Sequence, residues 1–426
     1  MKQVLIVTYF FPPYPTIGSV RLGGLAKYLP EYGWKPVVMT PVLPGTVDTR
    51  YHVVQTPYED RVLKMEKKLN ISAKRSEKGL VNSLIFNKQG ERRPYVGKLI
   101  NMAGEVLSYP DGKKAWIPIA LKAAGDILRK HPVNAMISSS MPHTTHLIAH
   151  KLKKTHGVPW VADFRDLWTN NPYYSYSRIR NLMETRLEQA TLTNADALSI
   201  TSKPWADDLA RLHGRERVHV IHNGFDPEDF TKTVPLTERF TITYTGGLYD
   251  GKRDPELLFA AMRDLIDQGV IDPGDVEIRF FGWPQGWLET KINRYGLTGI
   301  AVQHGVVPRE DAIHHQQSSQ LLLLLNWDTP RERGTYTGKV YEYFAAKRPI
   351  LSLGAPKGVL TDLLDCTQTG KYACTKNELK AILTEDYQTF KETGQVPYHG
   401  VDREVNAYSH MNMAGKFADI LNQITA

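Results

Sequence analysis

Short apolar runs recur along the chain, and most of them stop at a glycine or polar loop that leads into apolar positions at helical spacing. Residues 2–9, 36–40, 133–138, 158–163, 197–201 and 218–221 form one series. Residues 240–245, 276–281, 300–304, 321–325 and a run opening at Pro349 form a second. Runs this short and this uniformly apolar predict strands buried on both faces, the pattern of a parallel sheet covered by helices. Between them, Leu22, Leu25, Ala26 and Leu29 pattern a helix. Further helices are expected from Thr144 to about residue 154, over 178–193, and from Pro204, Asp254 and Thr337, the last with Val340, Tyr343 and Phe344 on one face. The stretch 405–424 reads as one helix with no strand after it. Such alternation predicts an α/β chain of two doubly wound halves, and 426 residues are too many for one ordinary core. The polar turn His222-Asn223-Gly224-Phe225-Asp226-Pro227 marks the exit from the first half. The expected division is 1–225, 226–403 and a terminal helix 404–426 returning toward the first domain, with a basic insertion over 45–114.

The richest polar stretch lies between two very apolar strands, after the five leucines 321–325. There Thr337 is placed to cap a helix, with Gly338 and Lys339 in its first turn and Glu342 one turn on. A helix start with free N–H groups and a cation suits a phosphate, and the carboxylate suits ribose hydroxyls. The competing reading is an ordinary surface pair of Lys339 with Glu342 over an aromatic core. A glycine turn at Gly246 and Gly247 leads to Lys252 and Arg253 beside the helix start at Asp254, a setting for a diphosphate or a merely solvated basic turn. In the first half, the loop to Gly18 and Ser19 joins strand to helix through glycine but lacks the G-x-G-x-x-G of dinucleotide sites. It faces a phosphate or sugar, or is a plain tight turn. Asp163, Arg165 and Asp166 directly follow a strand, a costly grouping unless it binds something or the acids orient the arginine in a structural network. His143 follows the preceding strand and reaches the same edge, or is simply a polar loop residue.

Charge changes the picture once it is located. Residues 61–114 hold thirteen Lys/Arg against five Asp/Glu, a surplus equal to the +8 of the whole chain. Apolar clusters at 80–86 and 95–100 are interleaved there, which points to a membrane-surface element, with nucleic-acid binding and a solvated basic insertion as alternatives. Cys366 and Cys374 are too few for a disulfide framework and fit no metal motif, so a reduced, cytosolic chain is expected. The opening residues run straight into a strand without a signal-peptide block, and no apolar run reaches the roughly 18 residues of a membrane span.

Several of these segments carry a resemblance: Gly18-Ser19-Val20-Arg21, Asp163-Phe164-Arg165-Asp166-Leu167-Trp168, Ile221-His222-Asn223-Gly224-Phe225-Asp226, Tyr244-Thr245-Gly246-Gly247-Leu248 with Lys252, and residues 337–351. In order and spacing the chain resembles the retaining glycosyltransferases of the GT-B fold, specifically family 4 and its bacterial surface-polysaccharide members. The resemblance spans both domains and implies two Rossmann-like domains facing across a cleft, with the nucleotide-sugar donor on the C-terminal one and the acceptor on the N-terminal one. It implies transfer to a glycan or lipid-linked acceptor with retention, without metal or cofactor; the cysteines and the basic segment add the expectation of a cytoplasmic protein at an anionic membrane surface, and nucleic acid is not an expected partner. Lys252 would bind the pyrophosphate and Glu342 the ribose. Gly18, Gly247, Arg253, Val306, Thr337, Gly338 and Lys339 complete the donor candidates, and Ser19, Arg21, His143, Asp163, Arg165 and Asp166 are the acceptor candidates. Catalytic roles fall to Lys252, Arg253, Glu342 and His143. Two positions depart from the family pattern: Gly334 stands where the first of two glutamates is usual, and Gly247 where an arginine is, leaving Arg253 or Lys339 to substitute. No D-x-D occurs, which goes against the metal-dependent class of such enzymes. A nucleotide-sugar epimerase of the same shape and a non-catalytic binding subunit are the rival readings.

Overall fold

The structure, a computed structural model, describes residues 1–58, 109–171, 174, 176–327, 334–354 and 357–426. The chain begins β1 (Lys2–Thr8), α1 (Ile17–Tyr28), β2 (Trp34–Thr40), β3 (Val53–Gln55), α2 (Ile117–Lys130), β4 (Val133–Ser139) and α3 (Thr144–His156). It continues β5 (Trp160–Asp163), α4 (Arg178–Leu192), β6 (Ala197–Ile200), α5 (Lys203–His213) and β7 (Val218–Val220). The second series is β8 (Phe240–Thr245), α6 (Glu256–Asp267), β9 (Val276–Phe281), α7 (Gly286–Arg294), β10 (Ala301–Gly305), α8 (Arg309–Ser318) and β11 (Leu321–Leu325). After it come α9 (Gly338–Ala346), β12 (Ile350–Leu353), α10 (Val359–Thr367), β13 (Gly370–Ala373), α11 (Lys376–Thr393), α12 (Asp402–Asn406) and α13 (His410–Ile424).

Two parallel sheets result, ordered β3-β2-β1-β4-β5-β6-β7 and β10-β9-β8-β11-β12-β13. In each, strand order reverses beside the first strand, so the connections leave in opposite directions and open a crevice at the strand carboxyl ends. In the first sheet that place lies between β1 and β4, and in the second between β8 and β11. Parallel strands covered on both faces need apolar residues at every position. Strand β11 shows why: Leu321, Leu323 and Leu325 enter one core with Ile242 and Leu379, while Leu322 and Leu324 enter the other with Val340 and Phe344.

The chain divides into one unit of Met1–Ile221 with Ala414–Ala426 and a second of His222–Met413. In the first, α13 is tied down by Trp34 Nε1 donating to Asn422 Oδ1 at 3.2 Å and by the Arg21 guanidinium lying 5.4 Å from the Phe417 ring. The stretch expected as one helix over 405–424 is two, α12 and α13. Phe225 N–H donates to Tyr408 O at 3.2 Å and His410 N–H to Phe225 O at 2.8 Å, a bridge that draws the intervening backbone out of the helix. The expected insertion 45–114 is not wholly outside the sheet either, because Val53 pairs with Val38 in parallel register. Its charge surplus and apolar clusters lie mostly at residues 59–108, outside the described residues. Among the described residues no helix is long and apolar enough to cross a membrane.

Candidate functional site

In the second unit, candidate residues gather at the carboxyl ends of β8 and β11. Gly246 leaves β8 at φ 111° with its N–H on Phe281 O at 2.6 Å. Gly282 directly follows the neighbouring strand β9, and any Cβ there would strike the Gly246 carbonyl. Two glycines therefore let adjacent strand ends close on each other. The chain then coils through Tyr249, Asp250 and Gly251 at φ 51°, 53° and 86°. This left-handed turn sets Lys252 Nζ 4.0 Å from the Trp327 ring centre and the Arg253 guanidinium 4.6 Å from that of Tyr249.

Helix α9 enters from the other side of the crevice. Thr337 takes the N-cap position with extended backbone but its side chain caps nothing. Among the described residues the N–H groups of Gly338 and Lys339 have no partner, so the helix start stays open. The Lys339 side chain reaches back over the glycine turn, with Cε and Nζ 2.6 and 2.9 Å from where a Gly246 Cβ would stand and Nζ 5.2 Å from the Tyr244 ring centre. Among the described residues it makes no ion pair. Burial pushes the ammonium down to about 7, and Arg253 acts in the same direction against Glu342. Burial likewise pushes the Tyr244 hydroxyl up to about 12, with Arg253 opposing. Glu342 sits at the lip, one third exposed, with Arg309 Nη2 at 3.5 Å and Gln316 Nε2 at 3.4 Å. Behind it, Gln316 donates to Thr245 Oγ1 at 2.9 Å, and the Tyr343 hydroxyl accepts from Thr245 N–H at 3.3 Å and donates to Leu323 O at 3.1 Å.

Some expectations shift. The helix expected at Asp254 begins at Glu256, and Asp254 Oδ1 takes the Glu256 N–H at 3.0 Å while Lys291 pairs with both acids. That helix start is closed by its own carboxylate, which leaves α9 as the open one. Gly247 contributes a carbonyl to the Tyr244 hydroxyl at 2.8 Å; it is Gly246 that faces Lys339. Val306, after β10, is exposed, as are Trp283 after β9 and Tyr249 after β8.

The first unit collects its candidates at the carboxyl ends of β1, β4 and β5. Arg21 and Asp163 are fully buried against each other at 2.8 Å. Asp163 also accepts from Ser139 at 2.8 Å and Ser199 at 2.9 Å, and Arg21 donates to Ile221 O at 3.1 Å. Burial pushes the Asp163 carboxyl up, but the Arg21 charge and these hydrogen bonds outweigh it and hold it below the usual range. Expected as acceptor contacts, Arg21 and Asp163 are closed to any ligand by their own pairing. Ser19 is buried on Thr16 Oγ1 at 2.9 Å, and Gly18 gives room to the Arg165 guanidinium, which a Cβ would overlap. Arg165 donates to Ser140 O at 2.6 Å and Met141 O at 2.8 Å. His143 is buried and stacked on Trp168 at 4.4 Å, 2° from parallel, with neither nitrogen hydrogen-bonded. Burial, then His146 and Arg165, keep it neutral, so its ring is not an open acid or base. Asp166 differs from its neighbours: part-buried, it makes no hydrogen bond or ion pair among the described residues. Burial pushes its carboxyl up, with Arg165 opposing.

Residues missed in the sequence support these candidates: Gln316, Thr245 and Tyr343 behind Glu342, and Asp111, which takes the Thr144 N–H at 2.7 Å at the start of α3. No local pattern links them, because each contact joins separate elements.

Residues 87–229, about a third of the chain, match the family model for Glycosyltransferase Family 4. No curated protein matches the chain. Sucrose-phosphate synthase from Thermosynechococcus elongatus is similar in structure, with TM-score 0.64 and 13% identity over 100% of this chain and 99% of that one. HepE from Anabaena, solved with UDP and glucose, gives 0.63 and 13% over 99% of this chain and 100% of that one. A protein from Listeria monocytogenes described as a UDP-N-acetylglucosamine 2-epimerase gives 0.54 and 12% over 99% and 96%. The fold is that of the GT-B enzymes, two Rossmann-like α/β units. Family match and transferase neighbours together support a glycosyltransferase.

The Arg21–Asp163 pair yields a stability test. Asp163→Ala takes the carboxylate away from a buried guanidinium and is expected to cost about 3–5 kcal/mol, read as a lowered urea midpoint. Because the folded carboxyl lies below its ordinary value of 3.8, its stabilisation is complete above that pH and lost as pH falls through the lower folded value. The variant should accordingly show less acid sensitivity in that range. An unchanged midpoint at neutral pH would contradict this account.

Proposed function

We propose that the chain is a metal-independent, retaining glycosyltransferase that moves a sugar from a nucleoside-diphosphate sugar to a glycan or lipid-linked acceptor in surface-polysaccharide synthesis. The observation that carries the reading is a concentration of positive charge: Lys339 lies on the Gly246 turn, in the field of Arg253, at a helix start whose first N–H groups have no partner among the described residues. Like charges gathered in a low-dielectric crevice are unfavourable until an anion joins them. A diphosphate fits, and the UDP bound by HepE supplies the class. Lys339 then takes over from the arginine replaced by Gly247, Lys252 and Arg253 reach the same group from the left-handed turn, and Glu342 receives the ribose hydroxyls.

As the sugar leaves, negative charge grows on the terminal phosphate, where fixed cations and helix N–H groups stabilise it. The leaving phosphate assists deprotonation of the acceptor on the same face. Asp166, its carboxylate open among the described residues, is the acceptor-binding group of the first unit, a role His143 cannot take with its ring stacked on Trp168. The epimerase reading draws only on a shared fold, while the matched domain favours transfer. Incubation with UDP-sugars and an acceptor separates the readings: acceptor-dependent release of UDP supports transfer, an epimerised sugar or no turnover rejects it.

Three outcomes test the site. Glu342→Ala should lower turnover roughly 30- to 1000-fold with folding intact, the loss of about 2–4 kcal/mol of transition-state stabilisation; turnover close to wild type removes Glu342 from the site. Turnover should persist in a metal chelator; loss restored by magnesium or manganese means that a metal supplies part of the positive charge. The third is a pH profile. A bound diphosphate favours the charged form of Lys339, whose free value is about 7. Affinity for a UDP-sugar, whose diesterified phosphates do not titrate here, should be full below that pH and fall above it by up to about tenfold per unit until the raised bound-state value is reached. Lys339→Met should bind weakly with a flat profile in calorimetric titration. A wild-type profile already flat across neutrality would remove Lys339 from the phosphate site.

A further inference from the structure

Helix α4 is turned inside out. A surface helix ordinarily buries its apolar stripe and offers its charges to water. Here Arg180, Glu184 and Glu188 are buried. Arg180 Nε donates to Glu184 Oε1 at 2.6 Å and Nη2 to Pro110 O at 2.9 Å; Glu184 accepts from Trp168 Nε1 at 2.8 Å. Glu188 takes the Thr169 N–H at 3.0 Å and faces His213 Nε2 at 3.2 Å. The outward side of the first two turns carries Ile179, Leu182 and Met183, exposed to 73%, 53% and 43%. Spacing of three and four residues puts them on one face.

Arg178 and Arg186 flank this apolar face, both exposed, and α4 exposes no acid, since its two glutamates point inward. An apolar patch whose exposed charges on its own helix are both arginines meets two needs at once at an anionic bilayer. Its apolar side chains enter the headgroup boundary while the guanidinium groups bind lipid phosphates over their own aliphatic stems. A second copy docked on the same patch about a two-fold axis would set arginine against arginine. Trp168 and Thr169, in the loop that carries Asp166, hold Glu184 and Glu188 of α4, which ties this helix to the loop at the carboxyl end of β5.

We propose that the first two turns of α4 dock on an anionic lipid bilayer and so bring the carboxyl edge of this sheet to a lipid-carried acceptor. The acceptor part rests on the transferase reading; the docking surface does not. The test is co-sedimentation of the full chain with vesicles of phosphatidylcholine alone or mixed with phosphatidylglycerol, for wild type and for Ile179→Ser/Leu182→Ser/Met183→Ser. Wild type should pellet with the mixed vesicles. The triple variant, unchanged in thermal midpoint because the three residues are exposed, should partition about tenfold less or weaker still, the three apolar contacts being lost while every basic residue is kept. Arg178→Gln/Arg186→Gln should weaken binding to mixed vesicles and leave the slight binding to phosphatidylcholine as it was. Wild type remaining in solution overturns the proposal. So does a triple variant that pellets like wild type, which would move attachment to another segment, or one whose only change is dissociation of a dimer, which would make the face a contact between copies. UDP release with a water-soluble acceptor keeps the two readings apart. No turnover with α4-dependent binding sinks the transferase reading alone, and turnover with α4-independent binding sinks the docking surface alone.

Discussion

The reversal of strand order beside β1 and beside β8 is the constraint from which the chemistry of each unit follows. A parallel sheet can bring polar groups together without cutting its core only where neighbouring connections depart in opposite directions. Beside that place in the second unit, glycines at 246 and 282 let the ends of β8 and β9 approach until no Cβ fits between them. Lys339 occupies the room so made, and the open start of α9 is aimed at the same spot. In the first unit the corresponding edge gathers Arg21 from α1, Ser139 from β4, Asp163 from β5 and Arg165 from the loop after it. Backbone topology thus decides where charges can be afforded, and side chains decide whether they are spent on the fold or left open.

Both outcomes occur in this chain. At Arg21–Asp163 the charges are matched, every polar atom of the carboxylate is engaged, and nothing is left for a ligand. At Lys339 burial comes without an ion-paired acid among the described residues, and the ammonium answers by giving up its proton more readily. A buried cation held near neutrality is poorly suited to stabilising a fold, because any rise in pH removes its charge. It is well suited to a site that is completed by an anion. Glu342 is close enough to raise the lysine's pKa, but its carboxylate is engaged by Arg309 and Gln316, so it is held as a separate group.

Periodicity made the two sheets legible, because strands buried on both faces leave uninterrupted apolar runs such as Leu321–Leu325 that no solvent-facing element would carry. Helix α2 was missed although its pattern is clear, with Ala120, Ala124 and Ile127 buried and Ile117, Leu121 and Leu128 packed on the same core: it directly follows the basic segment, after which the alternation is read only from residue 133. The break between α12 and α13 was hidden for another reason, since it depends on backbone pairing with Phe225, far away in sequence. At the site, Thr337 to Glu342 could be read because cap, cation and carboxylate fall within two turns of one helix. Gln316 and Tyr343 could not, as their role exists only once α8, α9 and β8 are packed together.

Asp163 and Asp166 show how far a motif can carry an argument. They are the same residue type, three positions apart, flanking one arginine, and their carboxyls are displaced in opposite directions from the ordinary value. The intervening arginine does not pair with either of them; Arg165 donates to the Ser140 and Met141 carbonyls instead. Asp163 ends its strand pointing into Arg21, Ser139 and Ser199, whereas Asp166 follows in the loop, where burial acts on it against the Arg165 charge and no hydrogen-bond donor among the described residues compensates. A carboxylate in that state gains from any hydroxyl that reaches it, since a hydrogen bond to the charged form lowers its pKa and replaces the water it has lost. The sequence Asp-Phe-Arg-Asp therefore holds one acid that fixes the edge of the sheet and one that is free to act at it, a division decided by three residues elsewhere in the chain.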